Sequence, residues 1–423
     1  MPAKSLSIII ATLILGCASS IALAQHSPSA PTIFQVAELT GTDTQTLSSL
    51  GTSVAINGNI VVVGAPGGSS VANGYVPGAV YVYAKPSTGW ANITQLAKLT
   101  PSDSSAADGF GYSVAISGNT IVTGSNLSQL YVFVEPDGGW TNMNETAVLS
   151  DSSGHCLCGQ IAIDGNTIAV GSPLDGEKTV GTIEVFTRPS DGWQNTSRPN
   201  AELTQVEGQY GDQSFHSVAI SNNTIVGEGT ICGEVSCEYH IFLFTRPSTG
   251  WNGVITPTAT LSSTQSLNYF TAGQVSIDGN TVVAGSPSPN LTFFPAGFVD
   301  VWVEPAGGWA NMTETAQLSD GNTSFADEFG ISAVVSGSSI VVGTPSAIQV
   351  KSGSLYRGAA YVFNEPAGGW QSTSTYNDRL LSSNWTNNDG FGSSVAVSDG
   401  TIVVGEPYGP KNGEVGAAYV FQK

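Results

Sequence analysis

Apolar runs of four to six residues, separated by breaks rich in Gly, Ser, Asn and Asp, recur from Leu50 to the end of the chain. Ser53-Val54-Ala55-Ile56 is one such run and Ile60 to Val63 the next. Gly78-Ala79-Val80-Tyr81-Val82-Tyr83 and Gln95-Leu96-Ala97-Lys98-Leu99-Thr100 complete the set. Runs this short, bounded by turn residues, predict strands. The first of the four, strand A, returns at Val54, Val114, Ile161, Val218, Val275, Ala333 and Val395, at spacings of 47 to 62 residues. A fixed period of this size with four strands per unit predicts an all-β, seven-bladed β-propeller of four-stranded blades.

Within each unit the residue types suit their strand. Strand A is an apolar run suited to an inner strand. Asn57-Gly58, Ser117-Gly118, Asp164-Gly165, Asp278-Gly279 and Ser336-Gly337 follow it, and these dipeptides predict two-residue type I′ turns. A Gly stands ten positions after the strand A marker in six units, and Glu228 replaces it in the fourth. Strand C is aromatic, as in Tyr81-Val82-Tyr83, Tyr131-Val132-Phe133 and Tyr419-Val420-Phe421, with Glu184-Val185-Phe186 and Asp300-Val301-Trp302 as variants. A Pro-containing turn then leads to Trp90, Trp140, Trp193, Trp251, Trp309 or Trp370, read as opening the outer strand D. These tryptophans are expected to fill the wide outer gap between blades, although an aromatic once per unit is also what a sugar-stacking platform requires.

The seventh unit ends at Phe421-Gln422-Lys423, directly after its strand C. Its missing strand D is legible near the other terminus, where Phe34-Gln35-Val36-Ala37-Glu38-Leu39-Thr40 matches the Gln95 to Thr100 segment. The N-terminal strand is therefore expected to complete the C-terminal blade and close the ring, leaving no long unpaired edge.

Charge narrows the list of partners. With 12 Lys and Arg against 32 Asp and Glu, the net charge is -20. This balance excludes nucleic acid as an expected partner and disfavours docking on anionic lipid. Residues 1–24 read as a signal peptide: Lys4, the apolar stretch Leu6 to Leu15, and Ala22-Leu23-Ala24 before Gln25. Residues 25–33 form a short N-terminal segment and 34–423 the propeller, with no membrane span after signal removal. Export places the protein outside the cell or in the periplasm, secreted or at the cell surface. A competing reading takes Ile14-Leu15-Gly16-Cys17 as a lipoprotein box with Cys17 lipidated. In an oxidising setting Cys156, Cys158, Cys232 and Cys237 are disulfide candidates, with three possible connectivities.

Phe110-Gly111 followed by Gly124, Phe329-Gly330 followed by Gly343-Thr344-Pro345, and Phe391-Gly392 followed by Gly405-Glu406-Pro407 resemble the FG-GAP repeat. That repeat builds the integrin α-subunit propeller and occurs in many exported bacterial proteins. Leu50-Gly51, Leu157-Cys158, Ser214-Phe215 and Thr271-Ala272 depart from Phe-Gly in the other units. The resemblance implies adhesion or ligand binding, and in integrins calcium in the A–B loops. The calcium feature does not transfer, because two-residue A–B turns have no room for an Asp-x-Asp-x-Asp-Gly cage.

No cofactor is expected, and Ca2+ only away from those loops. Asp320, Asn322 and Asp327 are the weak metal candidates, while His155 beside Cys156 and Cys158 offers ligand types suited to zinc or copper. Asp108, Asp212, Asp327 and Asp389 precede strand A, where an Asp side chain accepts backbone N–H bonds in the turn. No nucleophile elbow, phosphate loop or His-Glu-x-x-His is present, so catalysis has no specific support. The sequons at Asn92, Asn144, Asn311 and Asn384 matter only on a eukaryotic secretory route.

Loop length points to one face. The A–B turns are uniformly short while the B–C loops vary, and B–C and D–A loops share a face of the ring. Tyr75, Tyr210, Tyr269, Phe293, Tyr356, Trp385 and Tyr408 are the ligand-binding candidates there. The expected function is recognition of an extracellular protein or glycan by a monomer. A secreted carbohydrate-active enzyme using carboxylates such as Asp327 or Asp389 near the central channel, or a purely structural envelope module, are the alternatives.

Overall fold

A computed structural model describes residues 31–45, 47–70, 74–103, 109–125, 128–173, 181–204, 215–232, 237–264, 273–287, 297–321, 327–349, 356–384, 386–409 and 415–423. The leader and Cys17 lie outside them. The unit that contains the repeats runs from Thr32 to Lys423. Its described residues form seven antiparallel blades, each with strands in the order A-B-C-D, and no helix.

Blade 1 comprises Ser53–Asn57, Ile60–Ala65, Ala79–Ala84 and Ala97–Leu99. Strand A of the later blades is Val114–Ser117, Ile161–Asp164, Val218–Ser221, Val275–Asp278, Ser332–Ser336 and Ser394–Ser398. The seventh blade takes its outer strand from Phe34–Thr40, which pairs antiparallel with Ala417–Gln422 in the register Glu38 to Tyr419 and Leu39 to Ala418. The ring is thus closed by the N-terminal strand, whose Ala37 and Leu39 are buried.

The core is divided among the interfaces rather than held in one mass. Seven apolar clusters occur, and each joins two successive blades. Trp90, Trp140, Trp193, Trp251 and Trp370 are buried in these clusters, with Trp309 packed against one of them. Burial removes their faces from sugars. The tryptophans stand in the C–D link, not at the start of strand D, because the chain must first cross to the neighbouring blade. There Asn92, Asn142, Asn195 and Asn311 accept bonds of 2.8 to 2.9 Å from strand D of the preceding blade, at Glu38, Lys98, Val148 and Thr260 N–H. The Trp-x-Asn spacing is thereby explained. The interface between blades 6 and 7 has no such tryptophan. Ile33 packs there, and Thr32 donates to Asp378 through N–H at 2.6 Å and Oγ1 at 2.7 Å.

The A–B turns differ by one residue from the expected pairing. Asn57 pairs with Ile60, Ser117 with Thr120 and Asp278 with Thr281, so the turn residues are Gly58-Asn59, Gly118-Asn119 and Gly279-Asn280. Only the first of each pair has positive φ, near +55°, the pattern of a type II′ turn; Asp399-Gly400 alone has two. The shift frees the last side chain of strand A to reach the next blade. Asn57 accepts from Gly118 N–H, Ser117 from Gly165, Asp164 from Asn222, Ser221 from Gly279, Asp278 from Gly337, and Ser398 from Gly58. These six bonds, each contributing about 0.5–1.5 kcal/mol, ring the A–B end of the channel.

At the other end the Phe-Gly turn performs the locking. Phe110 meets Tyr131 edge-on at 5.4 Å, Phe329 meets Tyr361 at 5.8 Å, and Phe391 meets Tyr419 at 5.7 Å. Each turn lays its carbonyl against the Gly of strand B in the preceding blade. A Cβ on Gly64 would lie 1.9 Å from Gly111 O, and one on Gly343 would lie 2.0 Å from Gly392 O. Close backbone approach, not positive φ, demands glycine at these positions. Where blade 3 offers Leu157-Cys158 instead, the facing Gly124 has its nearest neighbour at 3.4 Å.

Candidate binding face and channel

Among the described residues, B–C hairpins of blades 1, 4 and 6 rise from the same end of the ring. In blade 4 the ladder runs the full length of Thr224–Cys232 and Cys237–Thr245, to the pair Cys232 and Cys237. In blade 6, Ser339–Gln349 and Tyr356–Asn364 pair beyond a bulge to Gln349 and Tyr356. Blade 1 adds a separate two-stranded piece, Gly68–Ser70 with Gly74–Val76. Among the described residues the opposite end carries the two-residue A–B turns and the C–D links with their repeated Pro-x-x-Gly-Trp turn. The fold therefore has one plain face and one elaborated face.

Tyr75 sits in the blade 1 hairpin at 51% exposure, and Tyr408 in the blade 7 B–C loop at 54%. Of Tyr356 the backbone is described, closing the blade 6 hairpin. Tyr210, Tyr269, Phe293 and Trp385 lie outside the described residues, as does Asn322. Tyr112, absent from the sequence-based set, is the most open tyrosine of this face at 63%. It directly follows Phe110-Gly111, and that position was a legible signal. An aromatic there, where the other units place Thr52, His216 or Ser393, projects at the channel mouth.

The channel has a volume of about 860 Å³ and is walled by all seven A strands. Its lining is mixed: Val54, Ile116 and Val395 alternate with Ser113, Gln160, His216, Gln274 and Ser394. Burial holds the His216 imidazole below its usual pKa. The carboxylates lining the channel are Asp164, Asp278, Asp399 and Glu228. Burial pushes the Glu228 carboxyl well above its usual pKa. It occupies the glycine position of strand B in blade 4, where the facing turn of blade 5 lacks Phe-Gly.

Asp327 and Asp389 do not line the channel. Both are 1% exposed beneath their turns, where Phe329 N–H donates to Asp327 Oδ1 at 3.3 Å and Phe391 N–H to Asp389 Oδ1 at 3.1 Å. Thr386 N–H adds a bond of 2.8 Å to Asp389 Oδ2. Burial, then the charge of Asp320, lifts Asp327 to about 7; burial also lifts Asp389. Glu406 is lifted to about 8, chiefly by burial and then by Asp389, with Tyr419 donating to its Oε1 at 3.2 Å. Asp300 rises to about 7 on burial despite the amide of Gln317 at 3.1 Å.

In the D–A segment of blade 3, Cys156 and Cys158 stand at disulfide bonding distance, S–S 2.06 Å. The side chains of Cys232 and Cys237 lie outside the described residues. With both blade 3 sulfurs turned to each other, His155 does not share a site with them. It faces Asp151 and Glu184 instead.

These features define a seven-bladed β-propeller whose blades are locked by a Phe-Gly turn lying on the glycine of the strand before it. Residues 33–83, 93–133 and 375–421 match the FG-GAP repeat model. Together with the seven-blade ring, these three matches support an FG-GAP repeat β-propeller. No curated protein matches it. Among the described residues no helix is long and apolar enough to cross a membrane.

Proposed function

We propose that this chain is an exported, monomeric ligand-binding propeller that engages an extracellular protein or glycan through its B–C/D–A face. The observation that carries the reading is the asymmetry of the ring. One end carries hydrogen-bonded two-residue turns and the repeated Pro-x-x-Gly-Trp links, while the other bears extended hairpins on blades 1, 4 and 6 with Tyr75, Tyr112 and Tyr408 exposed among them. Aromatic rings on rigid supports supply contact area at small entropic cost, for a protein or for a sugar face. Export of the propeller, 34–423, follows from the leader-like residues 1–24 and accords with the extracellular occurrence of FG-GAP repeats. An acidic surface favours partners that carry positive or neutral surfaces.

The test is capture on the immobilised chain of extracellular-matrix proteins and of a glycan array. Tyr75→Ala, Tyr112→Ala and Tyr408→Ala should each weaken capture, and the triple variant should abolish it. Asn57→Ala and Ser117→Ala, at the plain face, should leave it unchanged. Equal loss from the plain-face variants would overturn the assignment of the face. Release of sugar products from the array would overturn the binding-only reading in favour of a hydrolase.

A further inference from the structure

Blade 3 breaks the repeat at two positions that meet in other blades. In blades 2, 4, 6 and 7 the Phe of the turn packs edge-on or tilted against an aromatic of strand C, at Tyr131, Phe242, Tyr361 and Tyr419. Blade 3 has Leu157 for the first and Glu184 for the second. A carboxylate has thus replaced a ring in the inter-strand core, and Glu184 is 0% exposed. Two residues before Leu157, His155 turns inward. Its Nδ1 lies 2.7 Å from Asp151 Oδ2 and 3.0 Å from Glu184 Oε1, with side-chain exposures of 10%, 3% and 0% for His155, Asp151 and Glu184. One ligand-type atom from each of the three lies within 4.8 Å of the others.

We infer that Asp151, His155 and Glu184 form a binding site for a single divalent first-row transition ion of the zinc class. One imidazole nitrogen and two carboxylate oxygens are a donor set that such ions take. Charge supports the assignment. With both carboxylates ionised, a divalent ion and the neutral ring bring the cluster to zero net charge. Geometry supports it too. Bonds of about 2.0–2.2 Å in a tetrahedral site place ligand atoms about 3.3–3.6 Å apart. The present N···O separations of 2.7 and 3.0 Å therefore need to open by less than about 1 Å. Hydroxyls stand ready to orient the ligands: Thr182 Oγ1 donates to Glu184 Oε1 at 2.7 Å, and Ser153 Oγ hydrogen-bonds to Asp151. Such outer partners hold metal ligands in place. Binding would use Nδ1 of His155 and leave the Cys156 and Cys158 sulfurs bonded to each other.

Zinc titration of the chelator-treated, purified chain by calorimetry tests the site, with X-ray absorption at the zinc edge reading the ligands. The expected result is one zinc per chain, an N/O shell with imidazole scattering, and at least about 100-fold weaker binding in His155→Gln and in Asp151→Asn. His155→Gln is the main variant, because glutamine keeps a hydrogen-bonding side chain beside Asp151 and Glu184; circular dichroism and cooperative unfolding without metal confirm its fold. Three results would overturn the inference: no stoichiometric binding by the wild type, retention of one tight site in both variants, or sulfur in the zinc shell. The first would leave His155 as a hydrogen-bonding partner of Asp151 and Glu184.

Discussion

Replacing Gly343 by Ala adds one carbon at the tightest kind of contact in this ring. The new Cβ would sit 2.0 Å from the Gly392 carbonyl oxygen of blade 7 and 2.2 Å from Ser332 Oγ. Real Cβ atoms essentially never approach below 3.0 Å, so blades 6 and 7 must separate by about 1 Å or the turn must distort. Overpacking against atoms that cannot rotate away costs about 3 kcal/mol, at the upper end of the usual range. The displaced turn also loses the bond from Ser332 Oγ to Gly392 O, 2.8 Å long, contributing about 1 kcal/mol. Against this, Ala restricts the unfolded chain and recovers about 0.4–1 kcal/mol. The net expectation is destabilisation by about 3 kcal/mol. Gly124 holds the equivalent position in blade 2, yet its nearest neighbour is the flexible Ile161 Cδ1 at 3.4 Å. Gly124→Ala should therefore be neutral or stabilise by up to about 1 kcal/mol. Equilibrium unfolding in urea, followed by tryptophan fluorescence, measures both. Equal effects of the two substitutions would refute the reasoning, since propensity alone treats them alike.

The remaining predictions concern charge and closure. Glu406, Asp300 and Asp327 have folded pKa values raised to about 8, 7 and 7, so the folded state binds their protons more tightly than the unfolded chain. Their contribution is complete below the ordinary carboxylate range and is lost as pH rises through about 7 to 8; urea midpoints should fall between pH 5 and pH 9. Glu406→Gln should flatten that fall, and an unchanged slope would refute the role of this group. Removal of residues through Thr40 should leave Ala417–Gln422 as an exposed edge and give aggregated or oligomeric protein on size-exclusion chromatography. A synthetic peptide spanning Thr32 to Thr42, added during refolding, should restore monomer; a monomeric truncated chain would refute the closure argument.

Much of this molecule is legible along the chain because its repeat is local. Strand, turn and strand lie within 20 residues of one another, and the side-chain types of each strand are those its own neighbours require. Hence the blade number, the outer strand supplied by Phe34–Thr40 and the inner place of strand A are all readable in one dimension. The A–B turns show the limit of such reading. Asn57-Gly58 and its equivalents have the composition of one hairpin turn, but the residue before the glycine is claimed by an N–H of the next blade, which moves the turn by one position.

The candidate sites were less legible for the same reason. Tyr112 follows Phe110-Gly111 in the sequence, but only the ring places that position at the channel mouth. Glu184 reads as an irregular strand C residue, and Asp151 as part of a polar turn. Their meeting with His155 depends on how the D–A segment of blade 3 folds over its own strand C.

Local period and residue type, acting over a few residues, were enough for the sequence to determine a closed ring of seven four-stranded blades and the inequality of its two faces. Tertiary structure alone decided which glycines cannot change, which carboxylates are buried, and which ligand-type atoms come together. Each of those depends on contacts between segments distant in the chain, where a shift of 1 Å in how one blade meets the next separates a tolerated side chain from an impossible one.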